Sequence, residues 1–273
     1  MKRKNWMRGL VLVCLIGLHS NTIALEKIDC VIEPQSVIEV SSATAGLLEE
    51  VFVDRGDEVK KGELLARLHS GVEEANVRLA KMRAESKASI LEKQARYELN
   101  QRTQVRIEKM FKKNAISELE RDEARTRTIV AKYELEKAKE ENSLAQLELE
   151  RTKEVLKLRS ILSPIDGIVA EKFKSAGEYV HVLDQQPVLK LAKVDMLHVE
   201  VIAPVSLFGR IKQGMFAKVI PEKPIGGDYS AKVVIVDQTI DAASGTFGIR
   251  LHLPNKNYAI PAGLRCQIEF IRN

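Results

Sequence analysis

Residues 42–59 read Ser-Ala-Thr-Ala-Gly-Leu-Leu-Glu-Glu-Val-Phe-Val-Asp-Arg-Gly-Asp-Glu-Val, and residues 163–180 read Ser-Pro-Ile-Asp-Gly-Ile-Val-Ala-Glu-Lys-Phe-Lys-Ser-Ala-Gly-Glu-Tyr-Val. The two stretches share a frame. Gly46 and Gly56 are ten apart, as are Gly167 and Gly177, with a serine four before the first glycine and a valine three after the second. Each stretch leads into an apolar strand, Leu64-Leu65-Ala66-Arg67-Leu68 and Val188-Leu189-Lys190-Leu191-Ala192. Glycine at fixed offsets marks turns that need positive φ or close backbone approach. Neither half has enough strands to bury a face alone, so the two must combine into one small sandwich.

Between the halves runs a charged segment from about Ser70 to Arg159, without glycine between Gly71 and Gly167 and without proline between Pro34 and Pro164. Its Ala, Glu, Lys, Arg and Leu content, with apolar residues at helical spacing, reads as long helix or coiled coil. Lys112-Lys113-Asn114-Ala115-Ile116-Ser117 interrupts it near the middle. Two arms of about 42 residues, at ~1.5 Å per residue, predict an antiparallel hairpin of roughly 60 Å. Ser70-Gly71-Val72-Glu73 and Ser117-Glu118-Leu119-Glu120 have capping-box spacing, and Ser163-Pro164 is expected to end the second arm. The second arm carries a 4-3 seam of Ala131, Leu135, Ala138, Asn142, Ala145, Leu149, Thr152 and Leu156. The first carries Ala80, Ala84, Ala88, Leu91 and Ala95. Small seam residues let helices approach closely but bury little area, so the rod should be thin and modestly stable alone.

The chain opens with Lys2, Arg3, Lys4 and Arg8, an apolar run from Leu10 to Leu18, and Asn21-Thr22-Ile23-Ala24 as a cleavage site. That is the pattern of a secretory signal over residues 1–24, with an apolar run too short to span a membrane. Cys14 follows Val13, which is not the small residue that lipoprotein processing takes. The net charge of +5 comes partly from this leader, and interleaved acids and bases argue against a nucleic-acid partner. Cys30 and Cys266 each lie on the apolar side of an alternating strand pattern. Core thiols are the plainer reading, while an oxidising compartment permits a disulfide joining the two ends of the mature chain. From Asp195 the pattern becomes short alternating strands and turns, as in a small antiparallel barrel.

Gly-x6-Val-x2-Gly-Asp-x-Val-x2-Gly-x2-Leu, from Gly46 to Leu65, resembles one half of a biotinyl/lipoyl domain. A helical hairpin set between two such halves resembles the HlyD-type membrane fusion proteins, periplasmic adaptor subunits of tripartite efflux and secretion systems. The resemblance implies an elongated α+β chain in five parts. These are the signal (1–24), an N-terminal strand segment (25–40) and a lipoyl-like β-sandwich in two halves (41–70 with 160–193). A coiled-coil hairpin (71–159) and a β-barrel (194–273) complete it. It also implies self-association into a ring, hexameric by family resemblance, an inner-membrane transporter and a TolC-like outer-membrane channel; without a spanning helix at the N-terminus, a transporter of resistance-nodulation type is favoured over one of ABC type. Members of the resistance-nodulation class usually continue into a membrane-proximal domain, which is expected to be absent or reduced here. Carrier domains of this fold present a lysine for a cofactor at the turn between halves. Here the hairpin occupies that turn, so no cofactor is expected.

Arg106, Met110 and Ser117 have the spacing of the family's Arg-x3-Leu-x6-Ser channel-contact motif, with Met for Leu, around the turn Asn114, Ala115 and Ile116. Arginine offers a planar multi-donor head and methionine a deformable apolar contact. Arg106 as one more solvated charge, Met110 as a seam residue and Ser117 as a helix cap are the competing readings. His69, His181, His198 and His252 are scattered without metal-ligand spacing, and Met82, Met110, Met196 and Met215 are too dispersed for a copper site. Gly226-Gly227-Asp228 is a turn rather than a phosphate loop. No catalytic arrangement stands out, which leaves an assembly protein as the leading expectation, ahead of a carrier module and a coiled-coil scaffold.

Overall fold

The computed structural model describes residues 27–182 and 186–271, so the leader reading and Cys14 lie outside the described residues. The elements run β1 (Ile28–Val40), β2 (Gly46–Val51), β3 (Glu58–Val59), β4 (Leu64–Leu68), α1 (Gly71–Glu85), α2 (Ala88–Phe111) and α3 (Glu118–Lys157). There follow β5 (Ser160–Leu162), β6 (Gly167–Lys172), β7 (Tyr179–Val180), β8 (Leu189–Pro204), β9 (Phe216–Pro221), β10 (Tyr229–Val236), β11 (Thr246–Pro254) and β12 (Leu264–Phe270). The described residues divide into two compact units, one within residues 34–195 and one of residues 27–33 with 196–271.

Both glycine-framed halves lie in the first unit, and an offset of 121 residues relates them through their glycine turns, growing to 123 in the closing strands, where Leu48 pairs with Leu68 and Val169 with Leu191. The Leu48 amide donates to the Glu178 carbonyl at 2.9 Å, and the Val169 amide to the Asp57 carbonyl at 2.9 Å. β2 pairs with β7 as β6 pairs with β3, each half lending a strand to the other. The core repeats the relation, since Val40 and Ile161, Leu48 and Val169, and Val59 and Val180 are buried at an offset of 121, and Leu68 and Leu191 at 123. The two short apolar patterns therefore close one core that neither could form alone.

The hairpin leaves this sandwich between β4 and β5, so the connection between the halves is the rod and not a tight turn. Its second arm is one continuous helix of 40 residues, with Ala131, Leu135 and Ala138 buried and Asn142, Ala145, Leu149, Thr152 and Leu156 half-buried, as the 4-3 spacing predicts. Ala124 and Thr128 extend the same stripe toward the apex.

Several expectations for the rod need correction. The first arm is not one helix but breaks at Ser86 and Lys87, where Ser86 is extended. Beyond the break Ala88, Leu91 and Ala95 are exposed, and the half-buried stripe is instead Ile90, Lys93, Tyr97, Asn100, Gln104, Ile107 and Phe111. Ser70 forms no capping box: its hydroxyl donates to the Glu74 carboxylate at 2.8 Å, and Glu73 is taken by Arg159. Proline does not end the second arm either. α3 stops at Lys157, the Leu68 amide captures the Arg159 carbonyl at 2.8 Å, and the chain joins β4 as β5 before Pro164 is reached. Strand pairing, and not the missing amide of Pro164, terminates the helix.

The second unit is a six-stranded barrel in the order β1-β12-β9-β10-β11-β8, closed by pairing of β1 with β8, which leaves no free sheet edge. Leu197, Val199 and Val201 of β8 face inward with Phe247, Ile249, Leu251 and Leu253 of β11, while Arg250 and His252 stay outside, as the alternation predicts. Buried Asn255 bonds both ways to the Ile260 backbone at 2.9 Å and pins the loop before β12. The start of β1 belongs here too, with Ile28 to Ile32 paired to Leu264–Ile268, whereas from Pro34 the strand lies in the first unit. That pairing places Cys30 directly opposite Cys266, and the two sulfurs are bonded. The reading of two free core thiols is therefore corrected.

Candidate contact site at the hairpin apex

The apex is built by the chain ends of α2 and α3. Asn114 adopts a left-handed conformation with φ 56°, which asparagine tolerates better than most residues. The Ala115 amide then donates back to the Met110 carbonyl at 3.0 Å and the Asn114 amide to Phe111 at 2.9 Å. This is the paired bonding that closes a helix C-terminus through a left-handed residue. Ile116 half-buries itself, and Ser117 opens α3 with a reciprocal capping box. The Glu120 amide donates to the Ser117 hydroxyl at 3.2 Å, and the Ser117 amide to the Glu120 carboxylate at 3.0 Å. A rigid turn without glycine results.

Arg106, Met110 and Ser117 all lie at this end of the rod and all are exposed. Among the described residues the Arg106 guanidinium bonds only to the Thr103 hydroxyl, at 3.3 Å, and the residue is exposed. Met110 spends its carbonyl on the turn while its side chain remains accessible, so it is not a seam residue. Ser117 is a cap whose hydroxyl also lies 3.2 Å from the Glu120 carboxylate. Sequence reasoning missed the element that stiffens the apex, Arg121. Its guanidinium stacks over the Phe111 ring at 4.5 Å from the centroid and pairs with Glu118 and Asp122 at 2.9 Å. Those carboxylates hold the Arg121 guanidinium above its usual range, the Asp122 bond contributing most. An aromatic residue closing one helix with an arginine in the second turn of the next is the signal that could have found it.

At the base of the rod a second arginine was also missed. Arg159 donates to the Ala45 carbonyl at 2.8 Å and to the Glu73 carboxylate at 2.5 Å, tying the end of α3 to the start of α1 and to the sandwich. A Cβ on Gly46 would lie 2.8 Å from its guanidinium, so Gly46 is present for close approach. Its counterpart Gly167 does the same against backbone, where a Cβ would sit 2.4 Å from the Ala192 carbonyl oxygen. Gly56 and Gly177 serve the other purpose, with φ of 95° and 88°. Backbone hydrogen bonding, together with Arg159, holds the Glu73 carboxyl below the usual range against the opposing effect of its burial.

The histidines are less scattered than their sequence positions suggest. His198 and His252 face each other across β8 and β11 with parallel rings 5.2 Å apart, beside the Arg250–Glu200 ion pair. Burial, followed by the Arg250 charge, pushes the His198 imidazole below its ordinary value. Two imidazoles do not make a metal centre. Among the described residues no group of three or more His, Cys, Asp or Glu side chains could hold an ion. No helix among the described residues is long and apolar enough to cross a membrane.

Comparison with known proteins accounts for this geometry. Residues 36–192 match the family of CzcB-like, barrel-sandwich hybrid domains. The pyoverdine export membrane fusion protein PvdR of Pseudomonas aeruginosa is 30% identical over 204 residues, 74% of this chain and 52% of the relative. An uncharacterized protein of Haemophilus influenzae is 23% identical over 219 residues, 80% of this chain and 50% of the relative. The chain thus spans about half the length of the curated relatives it matches. The crystal structure of MacA from Actinobacillus actinomycetemcomitans superposes with a TM-score of 0.74 at 20% identity, covering 90% of this chain and 78% of MacA, which shows a shared fold. The family match covers more than half of the chain and takes in both glycine-framed halves with the hairpin between them. The chain belongs to the family of CzcB-like, barrel-sandwich hybrid domains.

Proposed function

We propose that this chain is a periplasmic adaptor that links an inner-membrane transporter to an outer-membrane channel for efflux or secretion. The observation that carries the reading is the apex, a rigid capped turn at the far end of a long rod, offering Arg106, Met110 and Ser117 to solvent. The rod supplies reach, the apex supplies a polar and deformable contact, and no chemistry at a reacting centre is required of either. Assembly into a ring, hexameric by family resemblance, would set the rods side by side as the wall of a conduit. Leu119, Tyr133 and Leu147 support that arrangement: they are spaced fourteen residues apart on the face of α3 away from the seam and are 69%, 69% and 59% exposed. A neighbouring rod would cover such a stripe. PvdR, the relative named for pyoverdine export, adds support for an export role.

Purification of the exported protein from solubilised envelope tests the proposal. Recovery of an outer-membrane channel together with an inner-membrane transporter supports it, and the recovered pump shows whether the resistance-nodulation or the ABC class is the partner. Recovery of neither sinks it. Mass spectrometry on the same material distinguishes a carrier, which would bear a lysine-linked biotinyl or lipoyl group.

A further inference from the structure

The break in the first arm has no cause in its own sequence. Arg83-Ala84-Glu85-Ser86-Lys87-Ala88-Ser89 contains neither glycine nor proline, and most of it favours helix. The cause lies on the opposite arm. The Asn142 side-chain amide donates to the Ala84 carbonyl at 2.9 Å and to the Ser86 carbonyl at 3.2 Å, two acceptors that the end of α1 sets free. Gln146 in turn donates to the Asn142 side-chain oxygen at 3.2 Å. We propose that the Ser86–Lys87 break is a two-position joint in the rod, latched by Asn142.

The two positions are written in two overlapping apolar stripes. Val77, Ala80 and Ala84 face α3 before the break, and a continuous helix would carry that face on to Ala88, Leu91 and Ala95. The bent arm instead turns Ile90, Tyr97, Ile107 and Phe111 inward and leaves Leu91 63% exposed. The second stripe is out of phase with the first by one to two residues, a rotation of roughly 150° around the helix axis. Beyond Ser86 only one stripe can meet α3 at a time. The bent position gains the two Asn142 bonds and the exposed ion pairs of Lys93 and Arg96 with Glu134, at 3.9 and 3.3 Å, which hold weakly in water. The straight position would bury Leu91 and return intrahelical partners to the opening amides of α2, which lack them while a helix starts there. Each position gains contacts that the other gives up, and past Ala95 the straight face would carry Glu98 and Arg102, so the second position is confined to the turns next to the joint. Arg106 and Met110 lie on α2 beyond the joint, about five turns on, so a change of position strains α2 on the side of the apex. The joint is independent of what the apex meets.

Amide hydrogen exchange on the full mature chain tests this. In the wild type the amides of Lys87 to Ile90 should exchange fast. In Asn142→Leu they should slow by about tenfold or more, since helix now runs through them. Asn142→Asp, which keeps the shape and loses both donors, should shift in the same direction. Adding Leu91→Ser to Asn142→Leu removes the group that the straight position buries, and should restore wild-type rates. Unchanged rates in both Asn142 variants contradict the joint, as does faster exchange along the whole hairpin, which would make Asn142 a packing residue only. A double variant as slow as Asn142→Leu contradicts it too. So does loss of helical circular dichroism in both Asn142 variants, because a latch leaves the rod standing when removed.

Discussion

The Gly56 amide donates to the Val169 carbonyl at 2.9 Å, and the positions 121 residues on and back, Gly177 and Leu48, make the same bond at 2.8 Å. This reciprocal pair of bonds locks the halves into one module across the length of the inserted rod. Each glycine pair divides its work in the same way, the first by close approach and the second by positive φ. The two kinds should respond oppositely to asparagine. At Gly56, where nothing lies within 4 Å of a Cβ, Ala costs about 1–2 kcal/mol and Asn less, because Asn tolerates positive φ. At Gly167 the Ala192 carbonyl stands in the way, so Ala costs about 1–3 kcal/mol and Asn more than Ala. Thermal unfolding of the four variants checks the order, and equal ranking at the two sites contradicts the assignment.

The Arg159–Glu73 contact at the base predicts a pH-dependent stability. The folded Glu73 carboxyl titrates below the unfolded one. Its contribution is therefore fully present above about pH 4.3 and is lost as the pH falls through the lower folded value. Arg159→Gln should lower Tm at pH 7, and the gap to wild type should narrow as the pH is taken toward 3. A gap that stays constant would place the effect of Arg159 in its bond to the Ala45 carbonyl alone.

How much of this is legible in the sequence depends on where each cause lies. The glycine frame was legible because positive φ and close approach are properties of single positions. The barrel alternation was legible because period two is local. The Ser117 box was legible because both partners sit within one turn. The first-arm break was not, since Asn142 imposes it from 56 and 58 residues away. The end of α3 was misread for the same reason, as Leu68 and not Pro164 decides it. At the apex the spacing of Arg106, Met110 and Ser117 could be seen, but Arg121 over Phe111 emerges only when the turn has folded.

Cap and contact at Ser117 can be separated. Ser117→Ala removes the capping oxygen and should cost about 1 kcal/mol of hairpin stability. Ser117→Asp keeps a capping acceptor, so Tm should hold while export falls if the hydroxyl also meets a partner. Export retained by the Asp variant would leave Ser117 a cap and nothing more. Arg106→Asp should abolish export with almost no change in Tm, because among the described residues this exposed side chain bonds only to the Thr103 hydroxyl.

The Cys30–Cys266 bond closes a loop of 236 residues around both units. Its loss removes a constraint on the unfolded chain worth about 2–4 kcal/mol. Cys30→Ser with Cys266→Ser should lower the melting temperature of the barrel, as should a reductant on the wild type. Helical content from the hairpin should survive. A barrel equally stable with and without the bond would show that strand pairing of β1 with β12 is sufficient alone.

The central claim is that the rod meets its outer-membrane partner end-on, and site-specific photo-crosslinking in living cells tests it most directly. A photoreactive residue at Met110 is compared with one at Lys137, an exposed position midway along α3. The account predicts a covalent adduct with an outer-membrane channel from Met110 and none from Lys137. Adducts to the channel from Lys137 with none from Met110 would contradict it.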